Sequence, residues 1–198
     1  SNIYGLEPHF GCCTANMHQA LPKLAKSLIM ATPDSGFATI AYAPCITTLA
    51  VAYNIQLTLT ETTDYPFEGK ISLHLALSET AKFPVKLRIP AWADNATISV
   101  NGELIENIVA GTFATIERIW EHDDLIELDF PMAIRLQAGH DGLISVFRGP
   151  LLFGLKIGED WRQIAGELPH ADWEVYPTTA WNYGLLLDSD KPESSFEV

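Results

Sequence analysis

The sequence predicts a mainly β protein, an antiparallel β-sandwich or jelly roll preceded by one α-helical stretch. Three observations carry that reading. Apolar residues recur with a period near 3.6 only between Ala15 and Met30. Beyond Gly36 the period falls to 2 in one short run after another, and turn residues separate the runs at hairpin distances.

In the helical stretch Met17, Ala20, Leu21, Leu24, Ala25 and Leu28 fall on one face. Pro22 has no N–H to continue the ladder, so either a short turn runs up to Gln19 with the main helix starting near Leu21, or the helix kinks there. Thr32-Pro33-Asp34-Ser35-Gly36 ends it. Strands are then expected over Phe37–Ala43, Leu49–Glu61, Lys70–Leu77, Val85–Ile89, Thr97–Val100, Phe113–Trp120, Leu125–Phe130 and Leu143–Phe147. The run Ile71-Ser72-Leu73-His74-Leu75-Ala76-Leu77 alternates cleanly, with its four large aliphatics on one face. Asn101-Gly102 is a type I′ hairpin signal, because both residues tolerate positive φ. Gln137-Ala138-Gly139-His140-Asp141-Gly142 interrupts the strands and marks a boundary. From Gly158 on, Trp161, Trp173, Tyr176, Trp181 and Tyr183 stand among prolines with little periodicity, and the tail from Asp188 to Val198 is polar and acidic.

A chain of 198 residues, 47% hydrophobic and 19% charged, can bury a core. Twenty-five acidic against 12 basic residues give a net charge of −13, which argues against nucleic acid and anionic membrane as partners. A neutral ligand such as a sugar suits that surface better. No apolar run approaches the roughly 18 residues of a spanning helix. The chain opens on Ser1-Asn2, as a fragment or processed product would, so any leader would lie upstream and the compartment stays open, cytoplasm and periplasm alike.

Two of the three cysteines, Cys12 and Cys13, are adjacent. A disulfide between neighbours closes an eight-membered ring and forces the intervening peptide out of its planar trans form. The pair is therefore either two inert small hydrophobes or two soft donors aimed at one metal. Cys45, between two strand candidates, reads as a small residue at a strand end. His18 is either a structural hydrogen-bonder or a group facing a ligand, Asn16 a helix cap or a ligand-orienting group. The aromatics are core and docking residues unless a sugar stacks on them, and Trp181 with Tyr183 is the pair to examine first.

The string Phe10-Gly11-Cys12-Cys13-Thr14-Ala15-Asn16-Met17-His18-Gln19 with Pro22-Lys23 resembles the β-L-arabinofuranosidase-like glycosidases, glycoside hydrolase family 127 and relatives. The resemblance continues at Leu87–Trp92, Val100–Glu103, Phe147–Leu151, Trp173–Pro177 and Trp181–Gly184, in the family's order. It implies the carboxy-terminal part of a much longer enzyme: residues 1–31 the end of a helical (α/α) catalytic barrel, 32–136 a β-sandwich, 137–198 a second β region with an aromatic-rich end. It also implies zinc, held by Cys12 and Cys13 with a glutamate and a further cysteine from earlier in the full protein, Cys12 being the nucleophile of a retaining hydrolase. His18, Trp181 and Tyr183 would bind the plant-type sugar, an L-arabinofuranoside or a relative. The general acid lies in the missing barrel, so the fragment is expected to be inactive and to hold zinc weakly or not at all. The apolar stripe Met17, Leu21, Leu24 and Leu28, with the late aromatics, would be left uncovered and favour self-association. From a different class, the alternative is a non-catalytic β-sandwich that binds carbohydrate or supports a partner domain.

Overall fold

A computed structural model describes residues 2–4 and 11–196. Among the described residues two α-helices and sixteen strands run in the order β1 (Asn2–Tyr4), α1 (Gly11–Met17), α2 (Ala20–Lys26), β2 (Ile29–Ala31), β3 (Phe37–Thr39), β4 (Cys45–Val51), β5 (Ile55–Thr63) and β6 (Lys70–Leu77). There follow β7 (Ala81–Arg88), β8 (Thr97–Val100), β9 (Glu103–Leu104), β10 (Phe113–Trp120), β11 (Asp124–Asp129), β12 (Ile134–Ala138), β13 (Ile144–Arg148), β14 (Leu151–Leu152), β15 (Glu159–Ala165) and β16 (Asp172–Pro177). The chain is mainly β, as the period-2 runs require.

The chain divides into two compact units, one of Ala25–Leu152 and one of Ser1–Leu24 with Phe153–Val198. In the first, a six-stranded sheet in the order β4-β5-β6-β11-β8-β9 and a four-stranded sheet in the order β10-β7-β3-β2 share one hydrophobic core. All the pairings are antiparallel except β3 with β7. Leu57, Leu59, Leu73, Leu75 and Ile126 enter the core from the larger sheet, and Phe37, Val85 and Leu87 from the smaller. Each such side chain contributes roughly 2 kcal/mol by leaving water. The alternation expected for β6 is observed: Ile71, Leu73, Leu75 and Leu77 are buried while Ser72, His74 and Ala76 face outward. Two polar groups drawn into the core are paired, the Trp120 indole N–H donating to the Phe83 carbonyl at 3.0 Å and the Tyr42 hydroxyl to that of Arg88 at 2.8 Å. A third sheet of this unit, β12-β13-β14, stacks the Arg135 guanidinium 4.4 Å from the centre of the Phe147 ring.

The expected hairpin forms at Asn101-Gly102, with φ of 52° and 83°, joining β8 to β9. The single strand expected over Leu49–Glu61 is instead a hairpin, β4 turning through residues 52–54 into β5. Ala52 and Tyr53 take positive φ there, 44° and 70°, although neither is a turn-forming residue. The helical stretch breaks at His18-Gln19, and Pro22 lies in the first turn of α2, where its missing N–H costs nothing. It ends at Lys26 rather than Met30. Leu28 and Ile29, 6% and 9% exposed, lead into β2 as part of the sandwich core.

In the second unit β1-β16-β15 form an antiparallel sheet on which Trp161 and Trp173 meet edge-on at 6.3 Å. Arg162 lies over Tyr176 at 4.4 Å.

Candidate functional site

Helix α1 carries the adjacent cysteines on its first turn. Both are exposed and free, with sulfurs 3.7 Å apart. A disulfide needs about 2.05 Å, so the pair is not bonded. The spacing has another meaning. Zinc–sulfur bonds of about 2.3 Å meeting at a tetrahedral angle place two thiolate sulfurs about 3.8 Å apart. At 3.7 Å the two sulfurs are in van der Waals contact, a separation that would also suit two thiolates on one zinc ion. The Asn16 carboxamide reinforces the helix backbone, donating to the Cys12 carbonyl at 2.7 Å, and Gln19 donates to Asn16 Oδ1 at 3.2 Å. Asn16 therefore ties the end of α1 to its beginning instead of capping a helix N-terminus.

His18 is exposed in the break between the helices, and Trp181 and Tyr183 are exposed in irregular chain beyond β16. His9 lies outside the described residues. Among the described residues no group of three or more His, Cys, Asp and Glu side chains is gathered to hold a metal. Cys12 and Cys13 would supply two of the four ligands zinc needs. Of the apolar stripe, Met17, Leu21 and Leu24 are exposed, whereas Leu28 is not available.

One polar centre escaped the sequence reading. Glu61, on β5, is 2% exposed, its Oε1 accepting from the Ala43 N–H at 2.8 Å while Oε2 is buried with no partner. Burial pushes its carboxyl up to about 7, against the pull of the Ala43 hydrogen bond. Cys45 stands opposite it on β4, and burial followed by the neighbouring Glu61 raises its thiol, leaving Cys45 as an inert strand-end residue packed against the core. A signal for Glu61 existed in the sequence: Leu57, Leu59, Glu61 and Thr63 share one parity, so an acid lies in an inward row.

A two-sheet β-sandwich is a fold that serves many uses, so its architecture alone names no activity. The comparisons are narrower. Residues 38–132 match the family model described as the middle domain of GH127 β-L-arabinofuranosidases. A solved structure called a glycoside hydrolase aligns at a TM-score of 0.64 and 28% identity, over 71% of this chain and 24% of its own. A GH127 β-arabinofuranosidase aligns at 0.65 and 28%, over 77% of this chain and 28% of its own. A GH127 β-L-arabinofuranosidase from Geobacillus stearothermophilus T6 aligns at 0.65 with 19% identity, over 88% and 32%, a likeness of fold alone. No curated protein matches the chain. The chain resembles the GH127 β-L-arabinofuranosidase-like glycoside hydrolases and spans about a quarter to a third of the length of these solved relatives. The matched residues 38–132 lie within the sandwich unit Ala25–Leu152.

Proposed function

We propose that this chain supplies the sulfur nucleophile and the β-sandwich of a zinc-dependent retaining glycoside hydrolase acting on L-arabinofuranosides or a related plant-type sugar. The observation that carries the reading is the 3.7 Å spacing of two exposed free thiols, in a chain whose sandwich matches the GH127 middle domain. Cys12 and Cys13 would hold the metal, which when bound keeps sulfur in its nucleophilic thiolate form. The remaining ligands and the general acid would come from the helical barrel of the full-length protein.

In the first step Cys12 Sγ attacks the anomeric carbon. The new C–S bond forms as the bond to the leaving-group oxygen breaks, and that oxygen takes the proton of the carboxylic acid. In the second, water enters from the face the leaving group vacated, gives its proton to the same carboxylate and displaces the sulfur, so that two inversions retain the configuration. His18, Trp181 and Tyr183 would line the sugar. A chain without the acid has no proton to give the leaving group, so this chain alone is expected to hydrolyse nothing at a useful rate.

The full-length parent tests the proposal on a panel of aryl glycosides, with and without chelator. Turnover of arabinofuranosides that is lost in Cys12→Ser, together with a sugar adduct mapped to Cys12 by mass spectrometry, supports it. Full activity in Cys12→Ser would sink the nucleophile assignment and favour a non-catalytic sandwich.

A further inference from the structure

Three separate segments of the larger unit converge on a cavity of about 130 Å³ lined by Trp92, Asp94, Asn95, Pro131, Arg135 and Gly149. Two successive turns present the first group: the Ala93 N–H bonds the Pro90 carbonyl at 3.0 Å and the Ala96 N–H that of Ala93 at 3.2 Å. Trp92 is fixed edge-on against Phe130, at 6.1 Å and 86°, while Asp94 and Asn95 are exposed at the rim. Gly149, at φ 55°, closes another side so tightly that a Cβ would stand 2.8 Å from Met132 Cγ and 3.3 Å from the Trp92 ring. Arg135, held by its stack on Phe147, brings the guanidinium to the lining.

The lining selects a ligand class. A carboxylate at Asp94 disfavours an anion and a guanidinium at Arg135 disfavours a cation, so the ligand is neutral. A donor, an acceptor and a carboxamide that serves as both call for hydroxyls, while Trp92 and Pro131 offer apolar surface to C–H groups. The volume, that of about four waters, holds one small ring and no chain. We infer that this cavity is a binding site for a single neutral aldose ring, of aldopentose size. It uses none of the residues of the dithiol helix and stands or falls apart from the role of Cys12.

The test is an NMR titration of the 198-residue chain with L-arabinose, D-xylose and D-galactose, following the Trp92 indole N–H and the Asn95 carboxamide. The expected result is a saturable shift of both signals with at least one pentose at a midpoint of about 1–10 mM, an ordinary affinity for so small a ligand. Asp94→Ala, at an exposed turn position, should move that midpoint at least about tenfold upward with the rest of the spectrum unchanged, the loss of one charge-assisted hydrogen bond. Signals that stay fixed to about 100 mM of every sugar, or a midpoint identical in Asp94→Ala, would overturn the assignment.

Discussion

Glu61 makes the stability of this chain depend on pH in a direction opposite to the common one. Most native carboxylates are held in their charged form, so proteins gain stability as pH rises through the acid range. Glu61 is held in its neutral form, because burial leaves the charge on Oε2 without a partner. Below pH 4.5, its ordinary value, the carboxyl is protonated folded and unfolded alike and costs nothing. Between there and about 7 the unfolded chain ionises while the folded one keeps its proton, so stability falls with rising pH and levels off above. The gap, at about 1.4 kcal/mol per pH unit, amounts to about 3 kcal/mol. Glu61→Gln keeps the acceptor for the Ala43 N–H and cannot ionise, at a pH-independent cost of roughly 1 kcal/mol for its unpaired amide. Urea denaturation from pH 4 to 8.5, followed by far-UV circular dichroism, gives both stabilities. Subtracting wild type from variant cancels every other titrating group, and the difference should rise by about 3 kcal/mol across this interval in favour of the glutamine. A difference flat to within about 0.5 kcal/mol would show that the Glu61 carboxyl is solvated or paired and that the argument fails.

The thiols make a separate prediction: a disulfide-exchange reagent should label the exposed Cys12 and Cys13 first and the partly buried Cys45, whose thiol is raised, markedly more slowly, and equal rates for all three would contradict the placement of Cys45. With two ligands at hand, zinc should leave the isolated chain on dialysis against a mild chelator; stoichiometric retention would reveal ligands not counted. Gly149→Ala meets both positive φ and Met132, and calorimetry should show a loss of roughly 1–3 kcal/mol; an unchanged melting temperature would mean that this turn relaxes freely. The exposed Met17, Leu21 and Leu24 should bring copies together at high concentration, with Leu21→Glu restoring a monomer by light scattering. A strict monomer of 21.8 kDa in the unaltered chain would refute that expectation.

The strands were legible wherever one face is core and the other wet. β6 falls on its expected limits because Ile71 to Leu77 alternate without interruption, and β10 does so although Arg118 breaks its inward row and Phe113 and Ile119 stand on its exposed face. The β4–β5 hairpin was not legible, since Ala52-Tyr53-Asn54 carries no glycine and the alternation runs through it. The turn there is imposed by the pairing of β4 with β5, a tertiary cause that local chemistry does not announce. The end of α2 was missed for a related reason: Leu28 continues the helical stripe but is claimed by the sandwich core. The dithiol was visible as a motif, yet its sulfur spacing required the helix. Glu61 was signalled only by its parity with Leu57 and Leu59, in a strand otherwise rich in threonine.

The place of β4 in its sheet carries a consequence for handling the polypeptide. As the outermost strand it meets β5 on one side, and its seven residues, Cys-Ile-Thr-Thr-Leu-Ala-Val, include neither charge nor proline. Natural sheets guard such borders with lysine, proline or a bulge, because a free row of peptide groups accepts any extended chain of suitable polarity. Among the described residues no strand pairs with this border, and Ile46 stands out from the sheet face at 73% exposure. In concentrated or partly unfolded samples it is therefore the natural seed for cross-β growth. A single lysine at Ile46 would act as a gatekeeper there without touching the interior.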